Sequence, residues 1–519
     1  MCRYGLLTAL LFWFTCLVSG QTKDPFTLTD KPLRIEIPAQ SEKETFRIIP
    51  CDSAGMILFY KTLEVPTDNA YKWYFIFYDK NLQKIWIKSA PILSSLDYKD
   101  VTVEKDTVYF CFESDKKNRN RDVNFQILRV ALQSGSFILN NGKTSDQGSI
   151  SSFEVIGRKA ILGLNSEANI SSVLIMDLPT GQPTVIPLMP NDKTTLLHLS
   201  ADPVTMNLSM LISKTLSKRT AELYFCRYRP DGTQEFETKI NTNNISNEFI
   251  KVTEIRTGDS ETLIAGTYSA SPAGSKEKDV ESTGFAFSSF TSNVQKSIDY
   301  YNFLDMKNIK QLLSEEDILS LRKKSMKKNR PDQKYSLDFS LLLHDIFPWN
   351  NQYIVAAEAY TPQYHSESFT DYDFYGRPYT NTYSVFDGYR FTGIIMASFD
   401  KEGKMLWDNA MSIRNLLSFT LKPKVTLYPS GDEIILTYLS EGKIACGIIR
   451  DSETVEKSTF SDLELMSTND KLLEEYRSRM VHWYEDYFLC YGYQEIRDIS
   501  KGGNDKRMVF FCNKVQFDR

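Results

Sequence analysis

The feature that most limits what this chain can fold into is a repeat. Hairpin signals recur at intervals of roughly 50 residues, the spacing of propeller blades or another stacked array. Asp79-Lys80-Asn81-Leu82-Gln83-Lys84-Ile85-Trp86 and Asp400-Lys401-Glu402-Gly403-Lys404-Met405-Leu406-Trp407 share one frame. In both, an apolar strand ends in Asp-Lys and a bulky residue returns four positions after the turn centre. Gly135 with Leu139, Gly181 with Val185 and Gly232 with Phe236 fit the same frame. Glycine, where present, supplies the positive φ of a tight turn, and the fourth residue on falls on the buried face.

Reading each unit as four strands gives eight units, opening near Phe46, Val101, Phe153, Leu196, Phe249, Leu341, Val425 and Met480. The eighth runs out of chain at Phe517 after its third strand, while Leu33-Arg34-Ile35-Glu36-Ile37 is a strand with no unit of its own. A ring leaves no open sheet edge if its last blade borrows a strand from the other terminus. The predicted fold is therefore all-β, a β-propeller of eight four-stranded blades with seven as the alternative count. It is closed by pairing the N- and C-terminal strands, and residues 21–519 form one domain.

Two stretches break the period. Residues 303–337 are polar with a helical pattern, Ser314 standing three residues before Asp317 as a variant capping box. This predicted helical insertion ends in the basic run Arg322, Lys323, Lys324, Lys327 and Lys328 and stops at Pro331. Residues 360–389 depart from strand patterning and concentrate Tyr364, Phe369, Tyr372, Phe374, Tyr375, Tyr379, Tyr383 and Phe386, with Gly376 and Pro378 as breakers, and read as a loop insertion. Strands in a blade alternate direction, so a loop's place in the unit fixes its rim. Residues 303–337 connect the fourth strand of unit five to the first of unit six, and 360–389 connect the second and third strands of unit six. Both fall on one rim, as do the longer connections 269–282 and 495–506. Long loops on a rigid scaffold are where binding resides.

The first 20 residues read as a secretory signal. Arg3 gives a positive start, residues 6–18 are apolar without charge, and Val18-Ser19-Gly20 precede the cleavage point. The run is too short to cross a bilayer, which needs about 20 apolar residues, and no later stretch is long enough. An exported protein is expected, in the periplasm or at the cell surface. Cys51, Cys111, Cys226, Cys446, Cys490 and Cys512 then remain, without a C-x-x-C pair, and most sit in apolar runs as small buried hydrophobes. Cys490 and Cys512 fall on neighbouring strands, where a bridge is conceivable in an oxidising compartment.

With 61 Lys+Arg against 66 Asp+Glu the formal charge is −5, which argues against a nucleic-acid partner. Three of the 4 histidines, His198, His344 and His482, fall in first strands, nearest the axis. They belong to separated units without accompanying carboxylates, so they read as channel or core histidines and no metal is expected. His365 lies near Asp371, Asp373 and Asp387 in the aromatic insertion, but carboxylates on a loop read as turn chemistry. No catalytic residue or cofactor is assigned. The aromatic insertion reads as a protein-binding surface, with sugar stacking or private packing as alternatives. The basic run reads as the solvated end of a helix, or as a dock for an acidic partner or anionic membrane surface.

The hairpin Phe399-Asp400-Lys401-Glu402-Gly403-Lys404-Met405-Leu406-Trp407-Asp408-Asn409, with Phe386-Asp387-Gly388-Tyr389-Arg390 before it, resembles exported propeller proteins of gram-negative cell envelopes. Among these it is most similar to ones from bacteria that carry the type IX secretion and gliding machinery. The resemblance implies a periplasmic or surface scaffold, a soluble subunit contacting an outer-membrane translocon or β-barrel, and carries over no catalytic residue. The expected function is a non-catalytic protein-interaction scaffold using the aromatic and basic residues above. A glycan-binding protein or carbohydrate-active enzyme using the same rim is the alternative.

Overall fold

The computed structural model describes residues 26–27, 33–40, 45–64, 67–115, 122–144, 148–217, 220–243, 248–258, 260–270, 281–313, 319, 337–501 and 505–517. They form eight antiparallel sheets in chain order, each built from four strand positions. The first strands are Arg47–Cys51, Leu96–Glu104, Gly148–Ile156, Lys193–Ala201, Glu248–Arg256, Ser340–Leu343, Thr426–Ser430 and Asp470–Tyr484. The eight unit starts read from the sequence fall in or beside these strands. The arrangement is consistent with a β-propeller.

Packing follows from the pleat. A strand covered on both faces reads as a continuous apolar run, and alternate side chains go to opposite neighbours. In Gly55–Lys61, Ile57 and Phe59 join Phe110 and Phe112 of the second sheet. Met56 and Leu58 point the other way, to Trp483, Leu489 and Phe510 of the eighth. Six further buried clusters join the second sheet to the third and so on to the seventh and eighth. The order of packing thus returns from the last sheet to the first.

The termini meet as the orphan strand requires. Leu33–Pro38 pairs antiparallel with the last strand, Leu33 opposite Lys514 and Pro38 opposite Val509, as the outer member of the eighth sheet. Further bonds tie this sheet to the first: the Phe46 N–H donates to the Tyr493 hydroxyl at 3.1 Å and the Trp483 indole donates to the Gly55 carbonyl at 2.8 Å.

One expectation is unsupported and one needs correction. The helical insertion is not supported. Residues 303–313 form only two short 3-10 turns, Phe303–Asp305 and Ile309–Leu312. Phe303, Met306 and Ile309 are buried between the fifth and sixth sheets, and the N–H groups of Lys307 and Asn308 donate to the Asp408 carboxylate at 3.1 and 2.7 Å, where a helix would need other geometry. Residues 314–318 and 320–336, with Arg322, Lys323, Lys324, Lys327 and Lys328, lie outside the described residues. Residues 360–389 are not a loop. They continue the second and third strands of the sixth sheet, Gln352–Tyr372 and Pro378–Phe399, as one long hairpin.

Cys490 and Cys512 lie on adjacent strands but one position out of step, Cys490 opposite Asn513 and Cys512 opposite Tyr491. The pleat sends Cys490 toward the seventh sheet and Cys512 toward the first, so the two cannot bridge. The six cysteines among the described residues are buried and none of them is in a disulfide, and burial raises the thiols of Cys51, Cys111, Cys226, Cys490 and Cys512 above the ordinary range. In the native protein these six thiols are expected to stay unreacted with a thiol reagent such as dithionitrobenzoate over hours, and to become titratable in denaturant. Fast labelling of any one in the native state contradicts the packing described here.

Candidate functional site

Beyond Pro362 the hairpin leaves the sheet and enters solvent as a two-stranded arm, about 10 residues or roughly 33 Å long on each side. Its base is stapled. Phe386 packs on Tyr364 at 5.4 Å between ring centroids, on Tyr389 at 4.9 Å and toward Phe419 at 6.3 Å. A bulge between Gln363 and Tyr364 leaves Asp387 without a partner opposite it, and puts its carboxylate 2.5 Å from His365 Nδ1. Glu367 lies 3.2 Å from the other ring nitrogen, and these two contacts, Glu367 first, raise His365 above the ordinary imidazole range.

Residues directly opposite in the register share a face. One face carries His365, Glu367, Phe369 and Asp371 against Val385, Tyr383, Asn381 and Tyr379. Here the Phe369 and Tyr383 rings meet at 4.8 Å, and the Tyr379 hydroxyl donates to Asp371 at 3.2 Å. The other carries Tyr364, Ser366, Ser368, Thr370 and Tyr372, with a Ser368–Thr382 hydroxyl contact of 2.9 Å. The tip turns at Asp373-Phe374-Tyr375-Gly376-Arg377. Asp373 accepts from the N–H groups of Tyr375 and Arg377 at 2.9 and 2.8 Å, and Gly376 takes φ +72°.

Of the aromatic residues predicted to bind a partner, Tyr364, Phe369, Tyr372, Phe374, Tyr375, Tyr379 and Tyr383 are exposed, Phe374 at 97%. Phe386 is half-buried in the staple and holds the base of the arm instead. The acids considered for catalysis are spread along the ribbon: Asp371 binds Tyr379, Asp373 caps the tip, and Asp387 holds His365.

A second region lies at the axis. The first strands sit against one another from the second sheet to the sixth, and from the seventh through the eighth to the first. Between the sixth and seventh, His344, Asp345, Pro348, Pro423, Val425 and Pro429 line a cavity of about 480 Å³. The axial histidines do not converge. His344 Nε2 lies 2.8 Å from the buried Glu358 carboxylate, His482 stacks on Tyr428 at 4.5 Å, and burial lowers His198 although Glu254 and Asp345 act against it. No group of three or more His, Cys, Asp or Glu side chains is placed to hold a metal ion among the described residues.

Charge around this axis is divided. Glu154, Glu254 and Asp345, from the third, fifth and sixth sheets, make one side acidic. Burial first, then Asp100 and Asp345, raise Glu154 to about 7. Its carboxyl ionises more readily in the unfolded chain, so its stabilising effect is present below the ordinary Glu range and is lost as pH rises through about 7. Glu154→Gln is expected to stabilise the protein near pH 8 by on the order of 2 kcal/mol and to change nothing near pH 4. Denaturant midpoints at the two pH values check this, and equal shifts at both would refute it.

No family model matches the chain, and no curated protein matches it. Among similar solved structures, the polysaccharide lyase Uly1 shares 9% identity at a TM-score of 0.39, covering 80% of this chain and 89% of its own. A PL25 ulvan lyase shares 8% at 0.40, covering 79% and 90%. The β-propeller domain of the Trilobed protease from Pyrococcus furiosus shares 8% at 0.33, covering 79% and 97%. At these values the likenesses assign neither activity nor ligand to this chain, and none of the three connects it with type IX secretion or gliding.

Proposed function

We propose that this chain is an exported, non-catalytic interaction module of the cell envelope, a closed eight-bladed propeller that holds an aromatic arm toward a protein partner. The observation that carries this reading is the arm itself. An isolated two-stranded hairpin is marginal in water, yet this one extends from a rigid sheet with large aromatic side chains on both faces and at its tip. Aromatic rings bury large area at small rotamer cost, so an arm preset by its base loses little freedom on docking. Release to the periplasm or cell surface rests on the leader-like first 20 residues. An outer-membrane β-barrel or its complex is the partner the sequence resemblance favours. A glycan site needs a concave pocket with converging acids, whereas the arm's acids are spread and engaged within the ribbon. Capture from envelope extracts of the host by immobilised protein, with and without the arm, tests the reading.

A further inference from the structure

The arm lies at the rim; a separate cluster lies at the axis. Arg47 comes from the first sheet, Lys422 and Lys424 from the segment entering the seventh, and Arg479 from the first strand of the eighth. The sequence offers no hint of this grouping, because more than 370 positions separate Arg47 from the others and each reads as an ordinary strand or loop charge. The Thr426 hydroxyl donates to the Met480 carbonyl at 2.6 Å and the Phe46 N–H to the Tyr493 hydroxyl at 3.1 Å, which sets the segments carrying them side by side.

Several contacts fix the cluster. The Arg47 guanidinium lies over Tyr98 of the second sheet, 4.8 Å from the ring centroid. Tyr491 stands directly opposite Arg479 on the neighbouring strand. A bulge between Tyr476 and Arg479 breaks the alternation just before that arginine. The segment holding the two lysines is pinned through its backbone, since the N–H groups of Lys424 and Val425 donate to the Glu358 carboxylate at 2.9 and 2.8 Å. Glu358 is thereby occupied, and His344 holds the same carboxylate. Pro423, between the two lysines, lines the 480 Å³ cavity.

What the cluster lacks is a direct ion pair, although the occupied Glu358 carboxylate acts on Lys424. None of the four cations forms an ion pair with a carboxylate among the described residues. The nearby Lys99 is already paired with Glu113 at 3.1 Å. Burial lowers Lys424 to about 7 and lowers Lys422 and Arg47 as well, and the cations add to this by acting on one another: Arg479 on Lys424, Lys422 and Arg47, and Arg47 on Lys422. Asp100 is the carboxylate that acts on Lys422, from the acidic side. Four like charges gathered without a partner cost stability unless something negative joins them.

We propose that the axial cluster Arg47, Lys422, Lys424 and Arg479 binds a tetrahedral oxyanion, phosphate or sulfate, free or carried as a monoester. Two guanidinium forks give bidentate donors matched to such oxygens, and two ammonium groups supply further charge. This site is independent of the arm and stands whether or not the arm docks a protein.

The test is calorimetric titration of the intact protein with inorganic phosphate, sodium sulfate and glucose 6-phosphate at fixed ionic strength, so that general screening is constant. Saturable binding of the inorganic anions below about 1 mM is expected. Arg47→Gln/Arg479→Gln should weaken it by at least about tenfold, and Lys422→Gln, which disturbs no described side-chain contact, by about threefold or more. Lys239→Gln, on an outer strand, should leave it unchanged. Tighter binding of the sugar phosphate than of phosphate identifies a carried ester as the occupant, and equal or weaker binding identifies the free oxyanion. Absence of saturation up to roughly 10 mM with all three probes, or binding undiminished in both the arginine pair variant and Lys422→Gln, overturns the proposal.

Discussion

Replacing residues 366–384 with Asn-Gly is expected to abolish partner capture while leaving the thermal midpoint within about 2 °C of the parent. The excision is chosen from the register. His365 pairs with Val385, so a two-residue turn joins them as a tight hairpin. The Tyr364–Phe386 staple and the His365–Asp387 contact remain. Everything removed is solvent-facing on both sides, so little apolar burial is lost. Capture should fall because Phe369, Tyr372, Phe374, Tyr375, Tyr379 and Tyr383 leave together. Within the intact arm, Phe374→Ala and Tyr375→Ala at the tip should each weaken a docked complex by about tenfold to a hundredfold, the range of aromatic anchors. Phe137→Ala, an exposed aromatic on an outer strand of the second sheet, serves as the control and should change nothing. A midpoint that drops by about 10 °C or more would make the arm part of the fold. Capture that survives its removal would place the docking surface elsewhere.

Much of this architecture was legible because the repeat writes the same physics many times. The Asp-x-x-Gly frame at 400–403 is realised as read: the Lys404 N–H donates to the Asp400 carboxylate at 2.8 Å and Gly403 takes φ +93°. In the first sheet the corresponding residue is Leu82, which adopts φ +57° without glycine's freedom. The orphan strand at Leu33 and the missing one after Phe517 predicted each other. The arm was misread for a specific reason. Both its faces meet water, so its strands lack the polar–apolar alternation by which a half-buried strand is recognised. A usable signal was nevertheless present: Asp373-Phe374-Tyr375-Gly376 repeats the turn frame of Asp400-Lys401-Glu402-Gly403. In both, the glycine N–H donates back to the aspartate carbonyl, at 2.9 and 3.1 Å. The axial cations were illegible on different grounds, since their meeting depends on packing between the first, seventh and eighth sheets, which leaves no mark on any local stretch of chain. The eight buried interfaces lie between those extremes, written in each strand's two alternating sets of side chains but assigned only once the neighbours are known.

The seam where the chain ends meet should be the mechanical weak point, and Arg34 is its keystone. Its side chain is fully buried, with Nε 2.8 Å from Glu36 Oε1 and with donation to Asn513 and Gln494, each at 2.8 Å. The guanidinium also lies over Phe511, 4.8 Å from the ring centroid. One side chain thus joins the N-terminal strand to the two C-terminal ones. Arg34→Ala would leave the Gln494 and Asn513 side-chain oxygens without this donor in a buried place and Glu36 with only Arg507, 3.5 Å away, at a cost of about 3–5 kcal/mol. Leu33, Ile35 and Ile37 pack into the cluster shared by the eighth and first sheets, so loosening this strand loosens that cluster. If the seam parts before the rest of the ring, unfolding in denaturant should accelerate by on the order of a hundredfold to a thousandfold, each factor of ten corresponding to about 1.4 kcal/mol. The buried thiols report where the opening begins. Cys512 lies in the seam cluster, while Cys111 lies between the second and third sheets. In Arg34→Ala under mild denaturant, Cys512 is expected to label well ahead of Cys111. Simultaneous labelling at the parent's rate would mean that the ring opens elsewhere and that pairing of the ends does not limit its persistence.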